Sequence, residues 1–321
     1  MLAGPVLRLI ATRIGLSLLS LLAVSLIVFS SIALLPGDTA ERILGRDATR
    51  QSLEALRQQL HLSDPAPERY GRWLSGIVQG DFGRSLVADR AVLPYLERHL
   101  GRTLLLGGLA LLVHVPLSIG LGLLAAARRD GPVDLGISVL LLLGMSVPEF
   151  VTGIFLVLLL ANELGLLPPL ALIDQARSPG GALAMLVMPV ITLNFAMTAY
   201  VVRQTRSSMI EVLRSDYVRM ATLRGLTRSR VLLVHALPNA LGPAINAIAL
   251  NASWLVGGIV IVEVVFNYPG LGRLLVESIR FRDVPMIQGA ALVLSATYIG
   301  VNLVADLATL LLNPKLRTRL A

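Results

Sequence analysis

The chain has no cysteine, and a single lysine, Lys315, among 321 residues. Without thiols it forms no disulfide, no thiolate metal site and no cysteine nucleophile. A phosphate-binding loop needs Gly-x-x-x-x-Gly-Lys-Ser/Thr. Lys315 sits in the tail, outside any such pattern, so the chain holds no nucleotide by that device. Charge is also scarce, at 15% of residues, against roughly 25% in soluble domains. No paired metal ligands and no Ser-His-Asp arrangement occur, so no catalytic or metal-binding residue is assigned.

Apolar residues fill the space, at 55% of the sequence. A membrane-spanning helix needs about 20 of them in a row. Six runs qualify: 14–35, 103–127, 135–162 (interrupted by Glu149), 183–202, 240–262 and 288–312 (with Asp306 near its end). The first is longer than the roughly 7–15 residues of a signal-peptide core and has no small-x-small cleavage site after it, so it reads as a retained span. Pro116, Pro148 and Pro189 lie inside spans and are expected to kink them. Gly107, Gly108, Gly120, Gly122, Gly257 and Gly258 suit close helix packing in lipid.

The net charge is +8, and one lysine among 28 basic residues leaves 27 arginines. They cluster at span ends rather than on one soluble face, which argues against a nucleic-acid partner. Arg8, Arg13, Arg128 and Arg129 lie on one side, with Arg203, Arg206, Arg214, Arg219, Arg224, Arg228 and Arg230. Lys315, Arg317 and Arg319 end the chain on that same side. The short loops opposite hold only Arg177, Arg273, Arg280 and Arg282. By the positive-inside rule both termini are cytoplasmic. The segment 36–102 is then external. Its helical spacing over 51–60 and 68–78, separated by Asp64, Pro65, Ala66 and Pro67, predicts a small helical cap on the outer membrane face.

One polar stretch stands out, 203–239 between the fourth and fifth spans. Ser215 or Asp216 can cap a helix, and Gly225 is placed to stop it. That gives about two turns of helix outside the bilayer. Tyr217, Met220, Ala221 and Leu223 offer a docking surface, with Arg219 and Arg224 for acidic partners. An ordinary basic loop would account for the arginines but not for the caps.

This stretch resembles the cytoplasmic loop of ATP-binding cassette importer permeases. Their pattern is Glu-Ala-Ala, three residues, Gly, nine residues, a hydrophobic position, one residue, Leu-Pro. Ala221 fits the second alanine, Gly225 the glycine, and Leu237 and Pro238 the closing pair. Arg219 replaces the glutamate, Met220 the first alanine and His235 the hydrophobic residue. Those departures look like the dipeptide, oligopeptide and nickel branch, in its first (B-type) subunit. Leu35-Pro36-Gly37-Asp38 and Gly80-Asp81-Phe82-Gly83-Arg84-Ser85 resemble the same branch. So do the residues from Glu263 to Phe266, Pro269-Gly270-Leu271-Gly272, Arg282-Asp283 with Pro285, and Asn313-Pro314-Lys315-Leu316-Arg317.

The resemblance implies an all-α fold with six transmembrane helices, of the type I importer permease class, in a bacterial inner membrane. It implies a second homologous permease subunit as heterodimer partner, two ATP-binding subunits carrying ATP and magnesium, and an external substrate-binding protein. This chain would bind no cofactor. Its cargo would be short peptides, with glutathione or nickel chelates as the alternative. The loop residues Asp216, Tyr217, Arg219, Ala221, Arg224, Gly225, His235, Leu237 and Pro238 would couple it to an ATPase. The implied organisation is 1–35 (N-terminus and first span), 36–102 (external helical segment), 103–312 (core spans with the loop 203–239) and 313–321 (tail).

Polar groups within the spans supply pathway candidates. Glu149 follows Pro148 midway along the third run, where a carboxylate costs several kcal/mol unless it meets water or a partner. It is either a pathway residue facing a substrate amine or metal chelate, or a structural group, as an interhelical hydrogen bond or a protonated acid. Glu263 reads as an outer gate or as the anchor of the turn after it. Asn194, Asn246 and Asn251 line a cavity or bond between helices. His114 reads as packed or as an interhelical hydrogen bond. A secondary transporter would show inverted repeats and paired broken helices, and neither is legible. A membrane-embedded enzyme would need a convergent polar site, also missing.

Overall fold

The computed structural model describes residues 3–33, 40, 45, 49–59, 64–85 and 87–312. The Leu35 to Asp38 and Asn313 to Arg317 motifs lie outside the described residues.

The described secondary structure is helical, with one isolated antiparallel bridge between Arg84 and Ala91. In order the helices are α1 (Ala3–Ala33), α2 (Arg50–Gln59), α3 (Ala66–Val78), α4 (Val92–Ala127), α5 (Pro132–Ser146), α6 (Glu149–Leu156), α7 (Pro179–Leu213), α8 (Asp216–Leu223), α9 (Leu237–Val265), α10 (Leu271–Phe281) and α11 (Val284–Leu312). A π-turn, Val157–Glu163, extends α6, and another, Val231–Ala236, leads into α9. Five helical stretches are long and apolar enough to cross a membrane, or six if the bent pair α5–α6 counts as one.

That pair departs from the expected third span. A kink was expected at Pro148; the helix breaks there instead, and α5 and α6 meet at 107°. Val147 is extended (φ −98°, ψ 124°), as the residue before a proline tends to be. Pro148 has no N–H for the Gly144 carbonyl four residues back. Pro116 and Pro189, expected to act alike, stay inside the continuous helices α4 and α7.

The chain forms two compact units. One contains, among the described residues, 3–11, 104–268 and 301–312. Its core is aliphatic, built from Leu106 and Ala110 of α4, Leu186, Met188, Leu193 and Met197 of α7, and Leu255, Ile259 and Val262 of α9. Lipid is as apolar as leucine, so close packing and interhelical hydrogen bonds hold such helices together. Gly144 of α5 packs so tightly on α7 that a Cβ there would lie 2.5 Å from the Phe195 carbonyl oxygen. A backbone atom cannot swing aside, so Gly144→Ala should cost about 1–3 kcal/mol. The check is a lowered unfolding temperature of the purified protein in detergent.

Polar side chains inside this unit mostly serve the backbone. Thr192 donates to Met188 O (2.9 Å) and Thr198 to Asn194 O (2.6 Å), bonding back one turn as threonine does within helices. Asn194 donates to Ala110 O of α4 at 3.2 Å and to Val190 O at 2.9 Å. Asn251 of α9 donates to Met197 O of α7 at 2.8 Å. Both amides thus bridge neighbouring helices, while Asn194 Oδ1 has no partner among the described residues.

The second unit comprises Thr12–Thr103 and Pro269–Gly300. Within it α3 packs on α1. Tyr70 and Trp73 sit against Phe29, with ring centroids 5.4 and 5.9 Å away, and Ser25 shares a 2.8 Å hydrogen bond with Tyr70. Such aromatic pairs are each worth about 0.5–1.5 kcal/mol beyond area. Motifs far apart in sequence also meet here. Ser85 donates a buried hydrogen bond to Asp283, and the Leu271 N–H reaches Thr103 Oγ1 at 2.8 Å.

Candidate functional site: a short helix between two spans

Helix α8 is joined to α7 by two residues, Arg214 and Ser215. Ser215 occupies the N-cap position with extended backbone, but its side chain makes no cap. Its hydroxyl instead donates to Val212 O at 2.5 Å, so the expected serine cap is not formed. Asp216 stands in the first turn, where a carboxylate complements the helix dipole. At the other end the chain closes as expected. Gly225 has φ +79°, its N–H bonds Thr222 O at 3.0 Å, and the Arg224 N–H bonds Met220 O at 3.0 Å.

The helix has two distinct faces. Val218 and Ala221, three residues apart, are buried against Ala126 of α4, Met209 of α7, and Val231, Ala236 and Ala240. Burying a side chain of valine's size is worth about 1.5–3 kcal/mol. Ala221 was expected on the docking surface; it belongs to the inner face, because the buried stripe recurs at helical spacing through 218 and 221. The outer face carries Tyr217 (47% exposed), Met220 (53%) and Leu223 (80%), flanked by the exposed Asp216, Arg219 and Arg224.

The return to the next span is equally constrained. Arg228 donates to the Ala127 carbonyl at the end of α4. Leu237 is half-buried and Pro238 exposed, where the π-turn passes into α9. His235 lies half-buried on the π-turn, and its carbonyl accepts a 2.9 Å bond from Asn239. A cavity of about 390 Å³ remains behind α8, lined by Ala126, Leu213, Val218, Leu226, Arg228 and Val231 among others.

One pair of residues that sequence reasoning missed holds α7 in place. Arg206 grips Asp134 of α5 with both arms of its guanidinium: Nε to Oδ1 at 2.7 Å and Nη2 to Oδ2 at 2.6 Å. Asp134 Oδ2 also accepts the Asp130 N–H at 2.9 Å. The Asp134 side chain is 6% exposed and that of Arg206 27%. The bidentate geometry fixes direction as well as distance, seven residues before α7 ends.

The pathway candidates do not converge. Asn194 and Asn251 each donate to a carbonyl of a neighbouring helix. Glu263 is completely buried, and its carbonyl accepts the Tyr268 N–H at 2.8 Å, which ties down the turn after it. His114, also completely buried, shares a 3.2 Å bond with Ser118 on its own helix. His114 Nε2 and Asn194 Oδ1 have no partner among the described residues, and in Glu149 both side-chain oxygens are in that position. Glu149 is 8% exposed. It presses on Gly258 of α9, where a Cβ would lie 2.6 Å from one oxygen and 2.8 Å from the other.

Long apolar helices around an aliphatic core, with a two-faced helix displayed between two of them, mark a helical membrane protein. The chain belongs to the family of binding-protein-dependent transport system inner membrane components, whose pattern it matches over residues 118–318. Residues 6–99 match the N-terminal region described for membrane components of the same systems. A probable peptide ABC transporter permease protein of Sinorhizobium fredii is 36% identical over 294 residues, covering 92% of this chain and 94% of that one. A putative peptide transport system permease protein of Brucella abortus is 36% identical over 309 residues, covering 96% and 98%. A glutathione transport system permease protein of Shigella flexneri is 37% identical over 298 residues, covering 93% and 95%.

Proposed function

We propose that this chain forms half of the translocation pathway of an ATP-driven importer for short peptides, and that α8 is its coupling element. It pairs with a second, homologous permease. Two ATPase subunits supply the power, and an external binding protein delivers the cargo. Both termini and α8 face the cytoplasm, a reading supported by the arginine count of the short loops. The observation that carries the coupling role is the two-faced character of α8: one stripe packed on the ends of the spans, the other exposing Tyr217, Met220 and Leu223 between arginines. Exposed apolar side chains rimmed by charge mark a protein-binding surface. Displacement of α8 by an ATPase would pass to α7 through Arg214 and Ser215, biasing the bundle between two orientations.

The test is co-purification. Met220→Glu with Leu223→Glu puts two charges on the outer face and leaves Val218 and Ala221 alone. The double variant should reach the membrane at normal levels yet lose its ATPase subunits on detergent extraction, with transport reduced more than about tenfold, as burying two unpaired charges in an interface would require. Full ATPase recovery with normal uptake would rule out α8 as the docking site.

Glutathione as cargo is the second reading, favoured by the glutathione permease among the relatives; chelated nickel is a third. Competition of labelled tripeptide uptake by glutathione or by a nickel chelate separates them.

A further inference from the structure

We infer that Glu149 is the group on the pathway that receives the α-ammonium of an incoming peptide, an inference that rests on the peptide-import reading above. Three observations converge on it. The first is the orphaned carboxyl. Glu149 is more than nine-tenths buried, and both its oxygens lack partners among the described residues. Buried polar atoms in folded proteins are nearly always satisfied, and a carboxyl with both oxygens bare calls for an explanation. Within a membrane span such a residue is a functional site by default.

The second observation is the room made for it. Gly258 has no side chain, and any Cβ there would collide with the carboxyl. Helix packing alone would be served better by an apolar side chain at position 149 and an alanine at 258. The two helices instead close around a carboxyl and offer it no donor.

The third is the break beside it. The last backbone bond of α5 runs from the Val147 N–H to Leu143 O. The Gly144 carbonyl faces a proline four residues on, so the helix ends with spare acceptors within five residues of Glu149. The carbonyl end of a helix favours a cation, and interrupted helices in transporters use their carbonyl ends in this way. Ser146 and Pro148 at the break are exposed.

The chemistry selects the ligand. No cluster of three or more His, Cys, Asp or Glu stands ready for a metal among the described residues, so this is no metal cage. A lone carboxylate with backbone carbonyls nearby suits a primary ammonium, which brings three N–H donors and needs only acceptors. Every linear peptide with a free amino terminus carries that group, whatever its side chains. One carboxylate thus recognises the class without choosing a sequence. Glu149 lies closed against Gly258 here, so admission of the ligand requires α6 to part from α9.

The experiment uses the whole importer in proteoliposomes, with its ATPases and binding protein. Labelled trialanine and N-acetyl-trialanine are each supplied at concentrations that saturate the binding protein. Glu149→Gln should lower trialanine uptake at least about tenfold, the loss expected for a charge-assisted hydrogen bond. It should lower uptake of the acetylated form less than twofold, and Glu149→Asp should recover much of the trialanine uptake. Co-purified ATPase serves as the assembly control. An equal fall for both peptides would show a packing role, and no fall would remove Glu149 from the pathway; either overturns the inference alone. Wild-type assemblies that carry neither peptide would overturn the peptide reading, and this inference with it.

Discussion

Gly225→Pro should abolish ATP-driven transport while leaving the chain in the membrane. Gly225 has φ +79°, whereas proline is fixed near −65°. The substitution also removes the N–H that bonds Thr222 O. Together these force the chain out of α8 in a new direction, at a cost on the order of 3 kcal/mol. The spans do not depend on this turn, so insertion should survive. Transport in proteoliposomes should fall below a tenth of normal, with ATP hydrolysis no longer stimulated by loaded binding protein. Gly225→Ala is the graded control. Its Cβ meets open space, so only the left-handed backbone is penalised, by about 1 kcal/mol, and much of the transport should remain. Wild-type transport in the proline variant would mean that α8 need not be rigid.

Asp134→Ala should be the most destabilising of the polar substitutions. It strands Arg206, whose next carboxylate, that of Asp130, is 4.0 Å away and 73% exposed. Breaking a buried ion pair from one side costs roughly 3–5 kcal/mol. Here the lower end applies, because the Arg206 side chain keeps 27% of its surface. The unfolding temperature in detergent should drop clearly, and more than in Arg206→Ala with Asp134→Ala combined. An additive double variant would show that the two residues do not act as a pair. Since Arg206 lies close before α8, the same variant should also reduce transport per ATP hydrolysed.

The spans were legible because 20-residue apolar runs have few alternatives. The coupling element was legible for a different reason: a glycine after eight helix-compatible residues is a local signal, and local signals survive folding. The two-faced character of α8 was only half readable. Ala221 looked like part of the outer surface until the stripe with Val218 was seen to face Met209 and Val231. What stayed hidden was every relation between distant residues. Asp134 and Arg206 are 72 positions apart, and Ser85 and Asp283 are 198 apart. Nothing in either neighbourhood announces the other. Glu149 was visible as an anomaly, but the glycine that makes room for it, Gly258, looked like one more small residue for packing. At Pro148 the sequence predicts a bend; how far a proline bends a helix depends on neighbours that the sequence does not place.

The two short joints of α8 carry a last consequence. Two residues separate it from α7, and three, Arg224, Gly225 and Leu226, lead to Thr227 before the next helical turn. Each residue added to or removed from a helix rotates the chain beyond it by about 100°, as 3.6 residues per turn requires. A change of letter in this stretch alters a contact. A change of length turns Val218 and Ala221 away from their seats and swings the exposed face past its target. The stretch is therefore fixed in its count as well as in the few residues that seat it, Val218 and Ala221 inside and Gly225 at the turn.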